Sequence, residues 1–161
     1  MTIAVGDVAP EFELASQDRS PVRLSSFRGD RPVVVVFYPF AFTSICESEL
    51  CSLRDDHSAF ERAGSQVLAI YCDSNPSLAR WSREQGWNFP VLSDFWPHGA
   101  VAASYGVFDE ALGCARRATF VIDLEGKVID TFESGGIGTA PGRQPLRGSP
   151  RPALTEGLSA P

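Results

Sequence analysis

Short apolar runs and amphipathic segments alternate along the first half of the chain. Residues 31–40 (RPVVVVFYPF) and residues 65–73 (SQVLAIYCD) are rich in β-branched and aromatic side chains, which is typical of strands buried on both faces. Between them, residues 46–63 carry apolar side chains at steps of three and four, which predicts an amphipathic helix. Strands that alternate with helices in this way indicate an α/β protein.

Two further segments carry turn and cap signals. Residues 10–28 alternate around a polar turn and predict an N-terminal β-hairpin. Residues 75–86 predict a helix with Asn75 as its N-cap, Pro76 at its first helical position and Gly86 as its stop.

The end of this region predicts a mixed sheet. Residues 88–94 predict a short strand, and residues 97–106 predict a short helix that Gly106 closes. Residues 116–123 and 127–132 predict two strands joined as a hairpin. The expected fold class is therefore α/β, with a central mixed sheet flanked by helices and an N-terminal β-hairpin.

The composition changes at Ser134. Residues 134–161 are rich in Gly, Pro and Ser and hold few large apolar side chains, so they cannot bury enough surface to offset their ordering entropy. The sequence predicts one folded domain over residues 1–133 and a disordered tail over residues 134–161.

Charge and hydropathy exclude some classes of function. The net charge of −6 argues against a nucleic-acid binder, which normally presents a basic surface. No apolar run reaches the roughly 18 residues of a membrane-spanning helix, and the N-terminus shows no secretory signal. A cytoplasmic protein without membrane association is expected.

The cysteines predict free thiols rather than structural disulfides or a metal site. The four cysteines are Cys46, Cys51, Cys72 and Cys114, and no two of them form a C-x-x-C pair. Thiols in the cytoplasm are mostly reduced, and with only two histidines in the chain a Cys/His metal cage is poorly supported.

Cys46 lies in a stretch that would activate a thiol. It falls in the first turn of the predicted helix, where unpaired backbone N–H groups and the helix dipole favour the thiolate. Thr43 can donate a hydrogen bond from about one turn earlier, Pro39 forms a rigid apolar wall, and Arg117 is the best candidate for a nearby positive charge. A thiolate beside such donors is suited to attack a peroxide and to form a sulfenic acid.

These residues resemble a known family. Pro39, Thr43 and Cys46 match the P-x-x-x-T-x-x-C motif of the peroxiredoxins, and Arg117 in RATFVID matches the family's active-site arginine. Residues 80–108 are similar to the AhpE type, which is described as one-cysteine. The resemblance implies a thioredoxin-like fold and a peroxidase that reduces hydrogen peroxide and organic hydroperoxides.

The resemblance also implies roles and partners. Cys46 would be the peroxidatic cysteine, Thr43 and Arg117 would activate it, Pro39 would shield it, and Glu49 would support the site. No metal, haem or flavin is implied. Thioredoxin, mycoredoxin or a low-molecular-weight thiol would be the reductant, and the protein would form a homodimer.

Two features depart from the AhpE type. Cys51 follows Cys46 by five residues, as in the bacterioferritin-comigratory (PrxQ) branch, where such a cysteine resolves the sulfenic acid. In an intact helix the two side chains would lie about 140° apart, too far for a disulfide, so residues 44–54 would have to unwind after oxidation. The family also ends in an amphipathic helix, which residues 134–161 do not predict.

Several alternatives remain open at this point. A non-catalytic redox sensor or scaffold, a thiol–disulfide oxidoreductase and a Cys–His hydrolase that uses His98 are the rival functions. Cys72 and Cys114 are either packing residues or alternative resolving thiols. Four aromatic residues are expected in the core or in a dimer interface: Trp81, Trp87, Phe95 and Trp96.

Overall fold

A computed structural model of the chain describes residues 3–42, 58–87 and 89–133. Its strands are β1 (Glu13–Ser16), β2 (Pro21–Arg23), β3 (Val33–Phe37), β4 (Gln66–Tyr71), β5 (Val91–Ser93), β6 (Phe108–Asp109), β7 (Cys114–Ala115), β8 (Ala118–Ile122) and β9 (Val128–Glu133). Its helices are α1 (residues 58–62, as far as it is described), α2 (Asn75–Gln85) and α3 (Ala100–Ser104), with a 3-10 turn at Leu24–Phe27.

The main sheet is mixed, as the sequence predicts. Its strand order is β2-β1-β5-β4-β3-β8-β9. Strand β4 runs parallel to β3 and to β5, whereas β8 runs antiparallel to both β3 and β9. The β1–β2 hairpin joins the sheet through an antiparallel pairing of β1 with β5, which confirms the predicted N-terminal hairpin.

Strand β3 divides the core into two layers. Val33, Val35 and Phe37 face the cluster that also contains Phe120 and Tyr105, and Val34 and Val36 belong to the cluster on the other face. All five residues of β3 are buried, which confirms the strand with two covered faces. Each buried valine contributes about 1.5–3 kcal/mol relative to an exposed one, so this strand anchors both layers.

The start of α2 differs from the prediction in one residue. Ser74, with extended backbone angles, is the N-cap, and Asn75 is the first helical residue. The Asn75 side-chain amide instead donates hydrogen bonds to the carbonyl oxygens of Ala15 (3.2 Å) and Ser16 (2.8 Å), so it ties α2 to β1. Pro76 is accordingly the second helical residue, not the first, but still lies in the first turn, and Gly86 at the end, in the left-handed region, confirms the predicted stop.

The sequence pattern missed the small hairpin of β6 and β7. Phe108 pairs with Ala115 and Asp109 pairs with Cys114, and the turn between them is closed by Gly113 N–H donating to Asp109 O at 2.8 Å. Strands of two residues are too short to show an alternating pattern.

Within the described ranges, no helix is long and apolar enough to cross a membrane.

Replacing Asn75 by alanine should weaken the link between α2 and β1. The variant loses two hydrogen bonds to β1, each worth about 0.5–1.5 kcal/mol, so the free energy of unfolding should fall by about 1–2 kcal/mol in urea denaturation. Ser77→Ala, in the same helix, removes only a contact between the Ser77 and Ser74 hydroxyls and serves as the control. Equal stability of Asn75→Ala and the unmodified chain would contradict this assignment.

Candidate functional site

The strand register brings distant parts of the chain together where β3 ends. Phe37, the last residue of β3, pairs with Ile70 in β4 and with Ala118 in β8. Arg117 directly precedes Ala118, and Pro39 follows Phe37 by two residues. The structure therefore places Pro39 and Arg117 at the same edge of the sheet.

The chain leaves the sheet at this edge in a defined path. Tyr38 N–H donates to Ile70 O at 3.0 Å, and the Tyr38 ring stacks on Tyr71 with centroids 5.1 Å apart. Pro39 is buried. Ala41 N–H then donates to the Asp73 carboxylate at 3.0 Å. The path of residues 38–41 is thus set by contacts to the end of β4 and the residues that follow it.

Arg117 places positive charge beside the same strand ends. Its side chain is half-buried. Burial raises the pKa of the Tyr71 phenol well above its usual range, and the positive charge of Arg117 is close enough to lower it in part. Trp81 Nε1–H donates to the Tyr71 hydroxyl at 3.2 Å, so this phenol is held in place as a neutral group.

The other predicted site residues cannot be placed in this way. Thr43, Cys46, Glu49 and Cys51 lie outside the described residues, as does the first part of the predicted helix at residues 46–63. Their roles stay predictions. The described chain reaches residue 42 at the sheet edge from which it continues to Thr43.

Cys72 and Cys114 are described, and their surroundings make them poor nucleophiles. Both thiols are buried. Burial raises the pKa of Cys72 to about 12 and also raises the pKa of Cys114. Because only the thiolate attacks, the raised pKa disfavours both cysteines as nucleophiles, and their buried positions suit a packing role.

His98 is engaged by the backbone on both sides of its ring. Nδ1 lies 3.1 Å from Phe95 O, and Nε2 lies 2.7 Å from Gly113 O. The ring therefore links the loop after β5 to the β6–β7 turn. Two nitrogens held by carbonyl oxygens do not suit a general base, which disfavours the Cys–His hydrolase.

Two acidic residues at this edge, the half-buried Asp73 and the buried Asp94, were not singled out from the sequence as site residues. Burial raises the pKa of the carboxyl groups of Asp73 and Asp94, and backbone hydrogen bonds oppose the rise in each case. Asp94 accepts from Val101 N–H (3.1 Å) and Ala102 N–H (2.9 Å) and so fixes the start of α3. The available signal was position, since Asp94 directly follows β5 and Asp73 lies two residues after β4, both at the carboxyl end of a buried strand.

Known proteins share this sequence and fold. Residues 5–131 match the AhpC/TSA family. Alkyl hydroperoxide reductase E of Mycobacterium tuberculosis is 48% identical over 122 residues, which cover 76% of this chain and 80% of that protein. Peroxiredoxin Bcp of Escherichia coli is 36% identical over 137 residues, which cover 81% of this chain and 86% of that protein. The crystal structure of peroxidoxin BcpB from Mycobacterium tuberculosis superimposes with a TM-score of 0.73 at 37% identity, over 82% of this chain and 86% of that chain.

These matches confirm the resemblance to both the AhpE and the Bcp (PrxQ) types and the thioredoxin-like fold. They lend no support to the non-catalytic scaffold. Because the family match runs through nearly all of the described residues and the relatives are covered over most of their length, the chain belongs to the AhpC/TSA family of peroxiredoxins, the thiol-dependent peroxidases.

Proposed function

We propose that Cys46 is the peroxidatic cysteine of this peroxidase. The observation that supports the proposal is the register of β3 with β8, which brings the residues after Phe37 and the residue before Ala118 to the same edge of the sheet, from which the chain continues to Thr43 and Cys46. This arrangement supports a site in which Pro39 shields the thiolate and Thr43 and Arg117 donate hydrogen bonds to it and to the peroxide. Glu49 supports the same site from three residues after Cys46.

The proposed reaction transfers one oxygen to sulfur. The Cys46 thiolate attacks one peroxide oxygen, the O–O bond breaks, and the second oxygen takes a proton and leaves as water or as an alcohol. Cys46 becomes a sulfenic acid. Negative charge grows on the leaving oxygen during this step, so a preorganised guanidinium and hydroxyl stabilise the transition state more than the ground state.

Hydrogen peroxide and organic hydroperoxides are the proposed substrates. The similarity to a protein named alkyl hydroperoxide reductase supports the organic class. Phe42, 48% exposed and three residues after Pro39, adds apolar surface beside the proposed site, which favours substrates with an alkyl group.

Recycling needs a thiol reductant. We propose that a thiol condenses with the sulfenic acid, releasing water and forming a disulfide with Cys46. In a two-cysteine cycle this thiol is Cys51, after local unwinding of residues 44–54, and two thiols of the external reductant then reduce the Cys46–Cys51 disulfide and become a disulfide themselves. In a one-cysteine cycle thioredoxin, mycoredoxin or a low-molecular-weight thiol supplies the first thiol, and a second reductant thiol attacks the mixed disulfide, frees Cys46 and leaves the two reductant thiols joined as a disulfide. The similarity to peroxiredoxin Bcp supports the two-cysteine cycle, and the similarity to the E type supports the one-cysteine cycle.

We further propose a homodimer that uses an apolar patch formed by Phe95, Trp96 and Leu112. These side chains are 50%, 82% and 52% exposed. His98 holds their two loops together through its contacts to Phe95 O and Gly113 O. Large apolar side chains that are this exposed, in two loops that a hydrogen-bonded histidine links, are typical of protein interfaces. We also propose a cytoplasmic location, which the reduced state that the thiols need supports. The domain boundary near residue 133 is part of the proposal as well.

Arg117→Met should slow the reaction of Cys46 with hydrogen peroxide by about 100-fold or more, because one preorganised donor to the developing charge is lost. Arg117→Lys should recover part of the rate, since it restores the charge without the planar pair of donors. The second-order rate constant is measured by competition with a haem peroxidase. Arg116→Met is the matched control, since Arg116 instead donates to Gly106 O and pairs with Glu133. A rate for Arg117→Met within threefold of the unmodified chain would rule out this role.

One equivalent of hydrogen peroxide should oxidise Cys46 and leave Cys72 and Cys114 as thiols. With a pKa of about 12, Cys72 is thiolate in only about one molecule in 10⁵ at pH 7. Peptide mass spectrometry with a sulfenic-acid trap shows the product. A trapped adduct on Cys46 identifies the one-cysteine cycle, and a Cys46–Cys51 disulfide identifies the two-cysteine cycle. Oxidation that begins at Cys72 or Cys114 would contradict the proposed nucleophile.

Trp96→Glu should convert the dimer into a monomer in sedimentation velocity, because a carboxylate would be buried against an apolar surface. Leu124→Glu changes an apolar side chain of similar exposure, 44%, in the turn at the other end of β8 and should leave the dimer intact. If both variants sediment like the unmodified chain, the dimer uses another surface.

A further inference from the structure

The backbone of residues 39–42 has left the sheet ladder, so its position depends on other contacts. The last ladder-like bond of this segment runs from Tyr38 N–H to Ile70 O. Three residues further on, Ala41 N–H donates to Asp73 Oδ2 at 3.0 Å. This hydrogen bond links the segment that leads into Thr43 with a side chain that is more than 30 residues away in sequence.

Asp73 is itself fixed on the neighbouring strands. Its carbonyl oxygen accepts from Ser93 Oγ at 2.6 Å, and the preceding Tyr71 carbonyl accepts from Asp94 N–H at 2.7 Å. Ser74, the next residue, is the N-cap of α2. Asp73 therefore lies in a short link between β4 and α2 that hydrogen bonds also tie to β5. Because these contacts fix its backbone, its carboxylate can hold Ala41 in a defined position.

The next residue, Phe42, shows that the segment is held in a strained shape. Its φ angle is +61°, which is unusual for a bulky side chain and costs about 1–3 kcal/mol. Such a conformation persists only where surrounding contacts determine it. The Phe42 ring packs on the buried Trp81 with centroids 5.0 Å apart, and the Ala41 hydrogen bond fixes the residue before it.

The surroundings of the Asp73 carboxylate disfavour its charged form, and a hydrogen bond partly offsets this effect. Burial raises the pKa of Asp73, which means that its charged form is disfavoured at this position, and the hydrogen bond from Ala41 is the first of the contacts that offset this effect. An asparagine could accept the same hydrogen bond without carrying the charge. This difference makes it possible to separate geometry from charge by substitution.

We propose that Asp73 is a positioning residue for the peroxidase reaction, acting through Ala41 N–H to set the place from which the chain continues to Thr43 and Cys46. The inference rests on the proposed function of Cys46. Displacement of reacting groups by about 1 Å can slow an enzyme about 100-fold, so loss of one such contact has a measurable effect.

Three substitutions at position 73 separate the possible roles. Asp73→Asn keeps an acceptor oxygen in place and removes the charge. Asp73→Glu keeps the charge and moves the acceptor by one methylene. Asp73→Ala removes both. Asp123→Ala is the matched control, because the Asp123 carboxylate also accepts backbone hydrogen bonds, from Glu125 and Lys127 N–H at 2.9 Å, but lies in the turn at the other end of β8.

Two rates are measured on each folded variant: the second-order rate constant of Cys46 with hydrogen peroxide, and its rate of alkylation by iodoacetamide. Alkylation needs only an accessible thiolate, whereas reduction of the peroxide also needs donors aligned on the O–O bond. We expect Asp73→Asn within threefold of the unmodified chain in both rates. Asp73→Ala should lose about tenfold to 100-fold in the peroxide rate but less than about threefold in alkylation, and Asp73→Glu should lie between them.

The results that overturn the proposal are distinct. An Asp73→Ala peroxide rate within twofold of the unmodified chain or equal to that of Asp123→Ala would exclude a positioning role. Equal losses in both rates would mean a general change in thiol reactivity instead. If Asp73→Ala does not fold, the comparison of the other two variants decides: Asp73→Glu as fast as Asp73→Asn, or faster, refutes the hydrogen-bond route.

The proposed function fails separately. If Cys46 in the unmodified chain reacts with hydrogen peroxide no faster than a free thiol, Cys46 is not the peroxidatic residue and Asp73 positions nothing for it. A fast reaction in the unmodified chain with no difference among the position-73 variants would overturn only the role of Asp73.

Discussion

The pairing of β3 with two neighbours of opposite direction is the constraint on which the rest of the structure depends. Because β4 runs parallel to β3, the residues after both strands emerge at the same edge. Because β8 runs antiparallel, its first residues meet that edge as well. A shift of one residue in either register would turn the buried side chains of β8 or β4 to the opposite face of the sheet, and it would move the flanking residues Arg117 or Asp73 relative to the end of β3. Burial of both faces of β3 makes such a shift expensive, so the core and the site are specified together.

Burial has opposite consequences for the polar groups around this edge. It raises the pKa of Cys72 and Cys114, which favours the protonated, less reactive form of both thiols. It also raises the pKa of Asp73 and Asp94, but backbone N–H groups face both carboxylates and partly offset the effect. The same desolvation therefore lowers the reactivity of the two thiols. The two carboxylates remain as hydrogen-bond acceptors, and each of them links one element of the fold to another.

Much of the fold could be predicted because burial leaves a local pattern. The valine run of β3, the apolar run of β4 and the cap signals of α2 are each readable within a window of about ten residues. The errors fall where the pattern is too short or where two roles compete. Strands β6 and β7 hold two residues each, and Asn75 uses its amide to bind β1 rather than to cap its own helix.

The sequence by itself determined the family of this protein: the order of Pro39, Thr43, Cys46 and Arg117 carries the peroxiredoxin resemblance that the relatives confirm. Tertiary structure alone decided which distant groups meet. It brought Arg117 and Pro39 to the same sheet edge, placed the Asp73 carboxylate within hydrogen-bond distance of Ala41 N–H, and raised the pKa of Cys72 by burial. The physical reason is that side-chain identity and local period are properties of neighbouring residues, whereas hydrogen bonds across the sheet edge and the dielectric around a thiol depend on strand register and on packing.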